Sequence, residues 1–207
     1  MRRVTMRLAT ASPAHARSIA EIYREAFPES IELFFPRKPR ERLLRLLALS
    51  FALLFGRGAK GAVALDEDGR MAGYLLYSTS KGQARGSLLQ AVSLLARMAL
   101  GLGPVEMLKL MTNQLLMMIT VRKAKKVPKP QAAILSVAVL PAYQGQGVGT
   151  LLLDHALKEL QGQSVGLNVR ANNAAGKRLY AAAGFEECGS RRDLGGKWLI
   201  LYRPPVS

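Results

Sequence analysis

The sequence predicts one α/β domain whose strand-like and helix-like segments follow one another in mixed order. Three observations lead there. The 207 residues are 49% apolar and 21% charged, enough to bury a real core and too apolar for wholesale disorder or a fibre. No repeat and no low-complexity linker divides the chain. Between residues 131 and 157 an uncharged strand-like run, a glycine loop and an apolar helical run arrive in that order.

Charge and cysteine usage narrow the setting. Thirty Lys and Arg against fourteen Asp and Glu leave a formal net charge of +16, so the surface attracts anions, whether phosphorylated cofactor, nucleic acid, acidic protein or anionic membrane. The lone Cys188 makes no internal disulfide, lacks a second thiol for a metal set and fits a reducing compartment. Met1-Arg2-Arg3-Val4-Thr5-Met6-Arg7 is basic, but no apolar signal-peptide core follows it. The uncharged stretches Leu46 to Gly56, Gly86 to Ala96 and Leu110 to Val121 all fall short of the roughly 20 residues that span a bilayer. A cytoplasmic protein with no metal and no transmembrane segment is the expectation.

The first elements read as follows. Thr5 to Ala9 is a short strand. Ser12 is an N-cap with Pro13 at the first helical position, and Ile19, Ile22, Tyr23 and Ala26 recur at helical spacing until Pro28 ends the helix. Arg37 to Phe55 is a second helix, basic at its start and apolar after Leu46, closed by Gly56 and Gly58. Gly61 to Leu65 and Arg70 to Tyr77 flank Asp66-Glu67-Asp68-Gly69 and read as a hairpin.

Residues 81 to 130 form a Leu- and Met-rich helical pair broken near Gly101-Leu102-Gly103-Pro104 and ending in Arg122-Lys123-Ala124-Lys125-Lys126. With nine basic residues and one acid, Glu106, this segment supplies half of the net charge. It reads either as a packed pair with a solvated basic end, or as an acceptor-site wall or interfacial surface using residues such as Leu115, Met117 and Met118.

After Pro128 and Pro130, the uncharged Gln131 to Leu140 reads as a strand buried on both faces. Leu140-Pro141-Ala142-Tyr143 leads into Gln144-Gly145-Gln146-Gly147-Val148-Gly149-Thr150 and then the helical run Leu151 to Leu157. Bare backbone N–H groups before a helix N-terminus make a phosphate or pyrophosphate cradle. A Walker loop is disfavoured because Gly149 is followed by Thr150 with no lysine. The dinucleotide fingerprint fails because Thr150 stands where its third glycine belongs and no acid closes a strand about 20 residues on.

Gln144-x-x-Gly147-x-Gly149 behind Val137-x-Val139 resembles the acyl-CoA loop of the GNAT superfamily of N-acetyltransferases. A second stretch falls in the matching place: after the strand Ser164 to Arg170, Asn173-x-x-Gly176-Lys177-Arg178-Leu179-Tyr180-x-x-x-Gly184-Phe185 resembles the family's Asn-helix-Tyr-Gly-Phe run. The resemblance implies a mixed, twisted central sheet flanked by helices, with the segment at 81 to 130 inserted between the third and fourth strands of one domain over 1 to 207. It implies acetyl-CoA as co-substrate, its pantetheine arm in a gap between the fourth and fifth strands, on backbone groups of Val137 and Val139. Amides of Gln144, Gly145, Gln146, Gly147, Val148, Gly149 and Thr150 would hold the pyrophosphate, with Asn173 and Lys177 touching the rest of the cofactor. The acceptor would be a primary amine on a small molecule or peptide, attacking the thioester directly. Tyr180 stands where the family's proton donor to the CoA thiolate often stands; the other reading has its ring packing beside the pantetheine and donating a hydrogen bond.

This sequence departs from the family pattern on the fourth strand, where many relatives carry a glutamate base and Ala133-Ile134-Leu135-Ser136-Val137 carries none. Glu21, Glu25, Glu29, Glu32, a water chain or an already neutral amine are the alternatives. His155 and Cys188 read as structural, His15 as exposed, and Trp198 as an anchor of the last strand. Two other functions remain open: a CoA-binding module without turnover, and a basic nucleic-acid or membrane-surface protein, although no specific nucleic acid is expected. A homodimer is possible through the apolar helices.

Overall fold

The computed structural model describes residues 5–80, 88–124 and 126–206, and side chains there except those of 88–92, 94 and 95. The basic opening 1–4, part of the Gly86 to Ala96 stretch and Lys125 of the basic run lie outside the described residues. The chain begins with β1 (Arg7–Thr10), a 3-10 turn (Pro13–His15), α1 (Ala16–Ala26), α2 (Pro28–Phe34) and α3 (Arg40–Gly56). The hairpin β2 (Lys60–Leu65) and β3 (Met71–Thr79) precedes α4 (Leu88–Gly101) and α5 (Pro104–Ile119). Then come β4 (Arg122–Lys123), β5 (Ala132–Val139), α6 (Val148–Glu159), β6 (Val165–Arg170), α7 (Ala174–Ala182), β7 (Glu186–Asp193) and β8 (Gly196–Arg203).

All eight strands join one sheet in the order β1-β2-β3-β5-β6-β8-β7-β4. Only β5 and β6 pair in parallel among the described strands. Strand alternation sorts the core onto two faces. Leu75 and Tyr77 of β3 join Leu152, Leu153 and Ala156 of α6, whereas Tyr74 and Leu76 join Ile19, Ala20 and Ile22 of α1 and Leu43, Leu44 and Phe51 of α3. β3 is therefore buried on both sides, which explains its unbroken apolar run. Phe51 meets Tyr74 edge-on at 5.7 Å between ring centres, the preferred geometry for aromatic quadrupoles.

Several local expectations shift. The first strand starts two residues later than predicted, and Ser12-Pro13 opens a 3-10 turn before α1. His15 is half-buried, not exposed: its Nδ1 accepts the Ser12 N–H at 3.1 Å and so helps to cap the turn. Pro28 ends α1 as predicted and also opens α2, which the sequence reading did not separate. Arg122 and Lys123 are not a helix end but a short strand paired with Ser190 and Gly189 of β7. The predicted fourth strand is consequently β5.

Replacing Leu152, fully buried against β3, with Ala is expected to lower stability by about 3 kcal/mol in urea unfolding. Leu151→Ala, at a solvent-facing position, is expected to cost less than about 1 kcal/mol. Equal losses would contradict the burial pattern.

Candidate active site

The site begins with how β5 and β6 part. They pair at Ala132↔Val165 and Ala133↔Gly166 and no further. Around that clamp Ser164 O accepts from the N–H groups of Gln131 and Ala132, each at 3.0 Å, and Gln131 Oε1 accepts the Ser164 N–H at 3.0 Å. Beyond it β5 follows β3 and β6 follows β8 as far as Arg170. The register explains the parting: Leu76 faces Ser136 but Tyr77 faces Ile134, leaving Leu135 over as a bulge on β5. A bulge bends its strand and increases the local twist.

The gap is lined by backbone. Leu140 donates to Ala72 O at 2.8 Å, so by antiparallel alternation Ala138 and Ser136 also address β3, and Val137 and Val139 turn their N–H and C=O groups toward the gap. Val139 O accepts Gln144 Nε2 there at 3.1 Å.

At the open end of β5, Pro141–Tyr143 forms a 3-10 turn and the chain passes through Gly145 and Gly147 at φ +74° and +83°. These left-handed conformations are strained for residues with a Cβ, and a Cβ built on either glycine meets nothing within 4 Å. Gly147 caps α6, whose first amides, on Val148, Gly149 and Thr150, precede the first intrahelical bond, Leu151 N–H to Gly147 O at 2.9 Å. Gln144 N–H is already turned to Pro141 O at 3.3 Å, and Gln146 Nε2 donates to Ala142 O at 2.8 Å. Gln146 Oε1 is buried without a partner among the described residues. The loop is pinned from outside by Tyr143, whose hydroxyl donates to Asp66 Oδ2 at 2.5 Å. That bond holds the Asp66 carboxyl below its ordinary range and raises the Tyr143 phenol.

α7 closes the other side. Asn173 Oδ1 accepts the Gly176 N–H at 2.8 Å and caps the helix, and a Cβ on Gly176 would lie 2.9 Å from Asn173 Nδ2. Lys177 is exposed. Tyr180 is buried and meets Phe185 edge-on at 5.8 Å; burial pushes its phenol up to about 12. A Cβ on Gly149 would lie 3.5 Å from Leu179 and 3.9 Å from Val139. Val137, Val139, Val148, Leu179 and Tyr180 share one apolar cluster. The fold thus gathers the glycine loop, the bare edge of β5 and the tyrosine helix around one gap.

The four glutamates do not gather there. Glu21 pairs with Arg17 at 3.5 Å and Glu25 with Arg24 at 3.3 Å, while Glu29 and Glu32 are exposed. Of the four, Glu29 acts on a half-buried neighbour: burial raises the Tyr23 phenol, the Glu29 charge raises it further, and Arg170 at the end of β6 and a hydrogen bond with Ser30 oppose both. Sequence reasoning missed Arg170 itself. Its guanidinium grips Asp193 with bonds of 2.6 and 3.0 Å and lies 4.2 Å over the Trp198 ring. The available signal was a cation closing an otherwise apolar strand. Cys188 is buried, with its thiol toward Ile200 O at 3.4 Å. Among the described residues no group of three or more His, Cys, Asp or Glu is placed to hold a metal ion.

This architecture is that of an acetyltransferase fold, and the comparisons agree. Residues 16–185 match the Acetyltransferase (GNAT) family; the chain belongs to that family. It is 44% identical over 85 residues to the [ribosomal protein bS18]-alanine N-acetyltransferase of Escherichia coli K12, covering 37% of this chain and 57% of the relative. It is 39% identical over 67 residues to the N-alpha-acetyltransferase RimI of Mycobacterium tuberculosis, covering 32% of this chain and 42% of that one. The matches thus span about half the length of these relatives. In fold it is similar to a histone acetyltransferase HPA2-related structure from Corynebacterium glutamicum, with TM-score 0.64, 21% identity and 98% of both chains covered. A Sinorhizobium meliloti phosphinothricin acetyltransferase in complex with AcCoA gives TM-score 0.59 at 21% identity, covering 97% of this chain and 89% of that one.

The Tyr180 environment has a spectroscopic consequence. A raised phenol favours the folded state below the ordinary value near 10, and that contribution is lost as pH climbs through about 12. The difference in tyrosinate absorbance between the native protein and Tyr180→Phe is therefore expected to appear only above about pH 11. Its appearance near pH 10 would place the hydroxyl in water.

Proposed function

We propose that this chain is an N-acetyltransferase that moves the acetyl group of acetyl-CoA to a primary amine by direct attack. The observation that carries this is the gap between β5 and β6, with a glycine loop at its open end and a buried tyrosine beside it. The cradle fits a pyrophosphate: two left-handed glycines leave space where side chains would stand, and the α6 N-terminus offers amides without intrahelical acceptors. Gly145, Gln146, Gly147, Val148, Gly149 and Thr150 supply that cradle, Gln144 braces it against β5, and Asn173 and Lys177 take the outer part of CoA. Val137 and Val139 hold the pantetheine arm through backbone bonds, as a missing strand would.

The acceptor nitrogen attacks the thioester carbonyl carbon. A β5 N–H facing the gap stabilises the oxyanion, and collapse of the tetrahedral intermediate expels the CoA thiolate while the amine proton passes to base or water. Tyr180 donates a hydrogen bond to the departing sulfur. Full proton transfer from a phenol near 12 to a thiolate of ordinary basicity is uphill by about three and a half units, on the order of 5 kcal/mol. That difference favours stabilisation of the thiolate over its protonation. With no acid from Gln131 to Leu140 and none of the four glutamates gathered at the gap, the amine proton leaves to water or the amine arrives already neutral.

The acceptor we infer is a protein N-terminus. The relatives named for ribosomal-protein alanine and N-alpha acetylation support this class, and the surplus of cations suits a substrate with acidic neighbours. The missing β5 carboxylate favours one rival, a CoA-binding module without turnover.

Free-thiol release from acetyl-CoA with an alanine-initiated peptide separates the two readings. Turnover is expected, and binding without thiol release for any amine would leave only the module. Tyr180→Phe is expected to lower kcat roughly 10- to 100-fold, with acetyl-CoA affinity within about twofold. An unchanged kcat would reduce Tyr180 to packing.

A further inference from the structure

α5 is built inside out. Its polar residues face the protein: Glu106 pairs with Lys38 at 2.8 Å, Lys109 donates to Leu33 O at 2.9 Å, and Asn113 Oδ1 accepts the Leu194 N–H at 3.1 Å. Just past its end Thr120 Oγ1 accepts the Arg192 N–H at 2.8 Å. These bonds fix which side of the helix meets α2 and the β7–β8 turn. The opposite side carries Val105, Leu108, Met111, Leu115, Met118 and Ile119, each between 57% and 67% exposed. At 100° per residue these six fall on one face, which also holds the half-buried Thr112, with Gln114 at its margin. A globular helix ordinarily buries such a face and shows water its charges. Here the internal bonds hold the reverse arrangement in place.

The surroundings of the stripe are basic. It runs at its C-terminal end into Arg122, Lys123, Lys126 and Lys129, all exposed, and Arg97 of α4 is exposed as well. The one acid between residues 88 and 129, Glu106, is neutralised by Lys38.

We propose that the apolar face of α5 and its basic flank form a docking surface for an anionic lipid membrane, with α5 lying in the plane of the interface. Charge selects this occupant over a second copy of the chain, because two copies surrounded by the same cations, with their one acid already paired to Lys38, offer each other no charge complementarity. Hydrogen bonding selects lipid over a protein partner. Protein interfaces carry about one hydrogen bond per 100–200 Å², whereas the six exposed apolar side chains of this face offer none and the half-buried Thr112 is the single polar group among them. At about 1.5 Å per residue α5 is roughly 24 Å long, too short to span a bilayer and suited to lying at the boundary of headgroups and acyl chains. Among the described residues no helix is long and apolar enough to cross a membrane. Binding of this kind would hold the acetyl-transfer gap at a membrane surface, but the inference stands on α5 and its flank alone.

The test is co-sedimentation of the full chain with phosphatidylcholine vesicles, with and without phosphatidylglycerol, at low and high salt. The protein is expected to bind only the vesicles containing phosphatidylglycerol, more weakly in salt. The triple variant Leu108→Gln, Leu115→Gln, Met118→Gln is expected to lose roughly tenfold or more of that affinity with an unchanged thermal midpoint. Lys123→Glu with Lys126→Glu is expected to abolish anionic selectivity. No vesicle binding by the parent protein would overturn the proposal, as would binding that survives the triple variant. So would a sedimentation-detected dimer that the triple variant dissolves while vesicles stay unbound, which would assign the stripe to a second copy.

Discussion

The parting of β5 from β6 beyond Ala133 is the constraint on which the site depends. A continuous sheet would satisfy the edges of both strands with each other and leave nothing for a ligand. The Leu135 bulge turns β5 away while β3 keeps it paired, so Val137 and Val139 present backbone groups to an open edge inside the protein. Unpaired backbone donors and acceptors in an interior are costly, and a pantetheine arm, itself an extended chain of amides, is the kind of molecule that relieves that cost.

The scarce acids have structural employment. Asp66 pins the glycine loop through Tyr143, Asp193 holds Arg170 at the end of β6, and Glu106 ties α5 to Lys38 ahead of α3. The Arg170–Asp193 pair is shielded on both sides, so removing one partner would strand a charge. The exposed Arg17–Glu41 bridge contributes little by comparison. With these carboxylates engaged, the net charge of +16 is expressed by surface Lys and Arg. The field of the molecule therefore draws anions, the phosphates of the proposed cofactor and the proposed acidic surface at α5 alike.

Much of this was legible in the sequence because it is local. The hairpin around Asp66-Glu67-Asp68-Gly69, the helical pair broken at Gly101 to Pro104 and the succession of strand, glycine loop and helix at 131 to 157 follow from periodicity and turn chemistry within a few residues. Tyr180 was placed only by the resemblance of Asn173 to Phe185 to the family's run, and the capping of α7 by Asn173 was not anticipated. What escaped depends on contacts between distant segments. Asp66 and Tyr143 are 77 residues apart, and Arg170 meets Asp193 only because β6, β8 and β7 lie side by side. The pairing of Arg122 and Lys123 with β7 was hidden because a two-residue strand has no pattern of its own. For α5 composition revealed exposed-prone Leu and Met, but only the inward bonds of Glu106, Lys109 and Asn113 decide which way the helix faces.

The most direct test of the central claim is calorimetric titration of the protein with acetyl-CoA, with ATP as the anionic control, at low and high salt, repeated on Gly147→Val. The expected result is one molecule of acetyl-CoA bound per chain, affinity that largely survives salt because backbone bonds in the gap carry much of it, and loss of binding in the variant. Indistinguishable binding of ATP and acetyl-CoA that salt abolishes, or undiminished affinity in Gly147→Val, would contradict the account and leave the basic surface as the sole source of attraction.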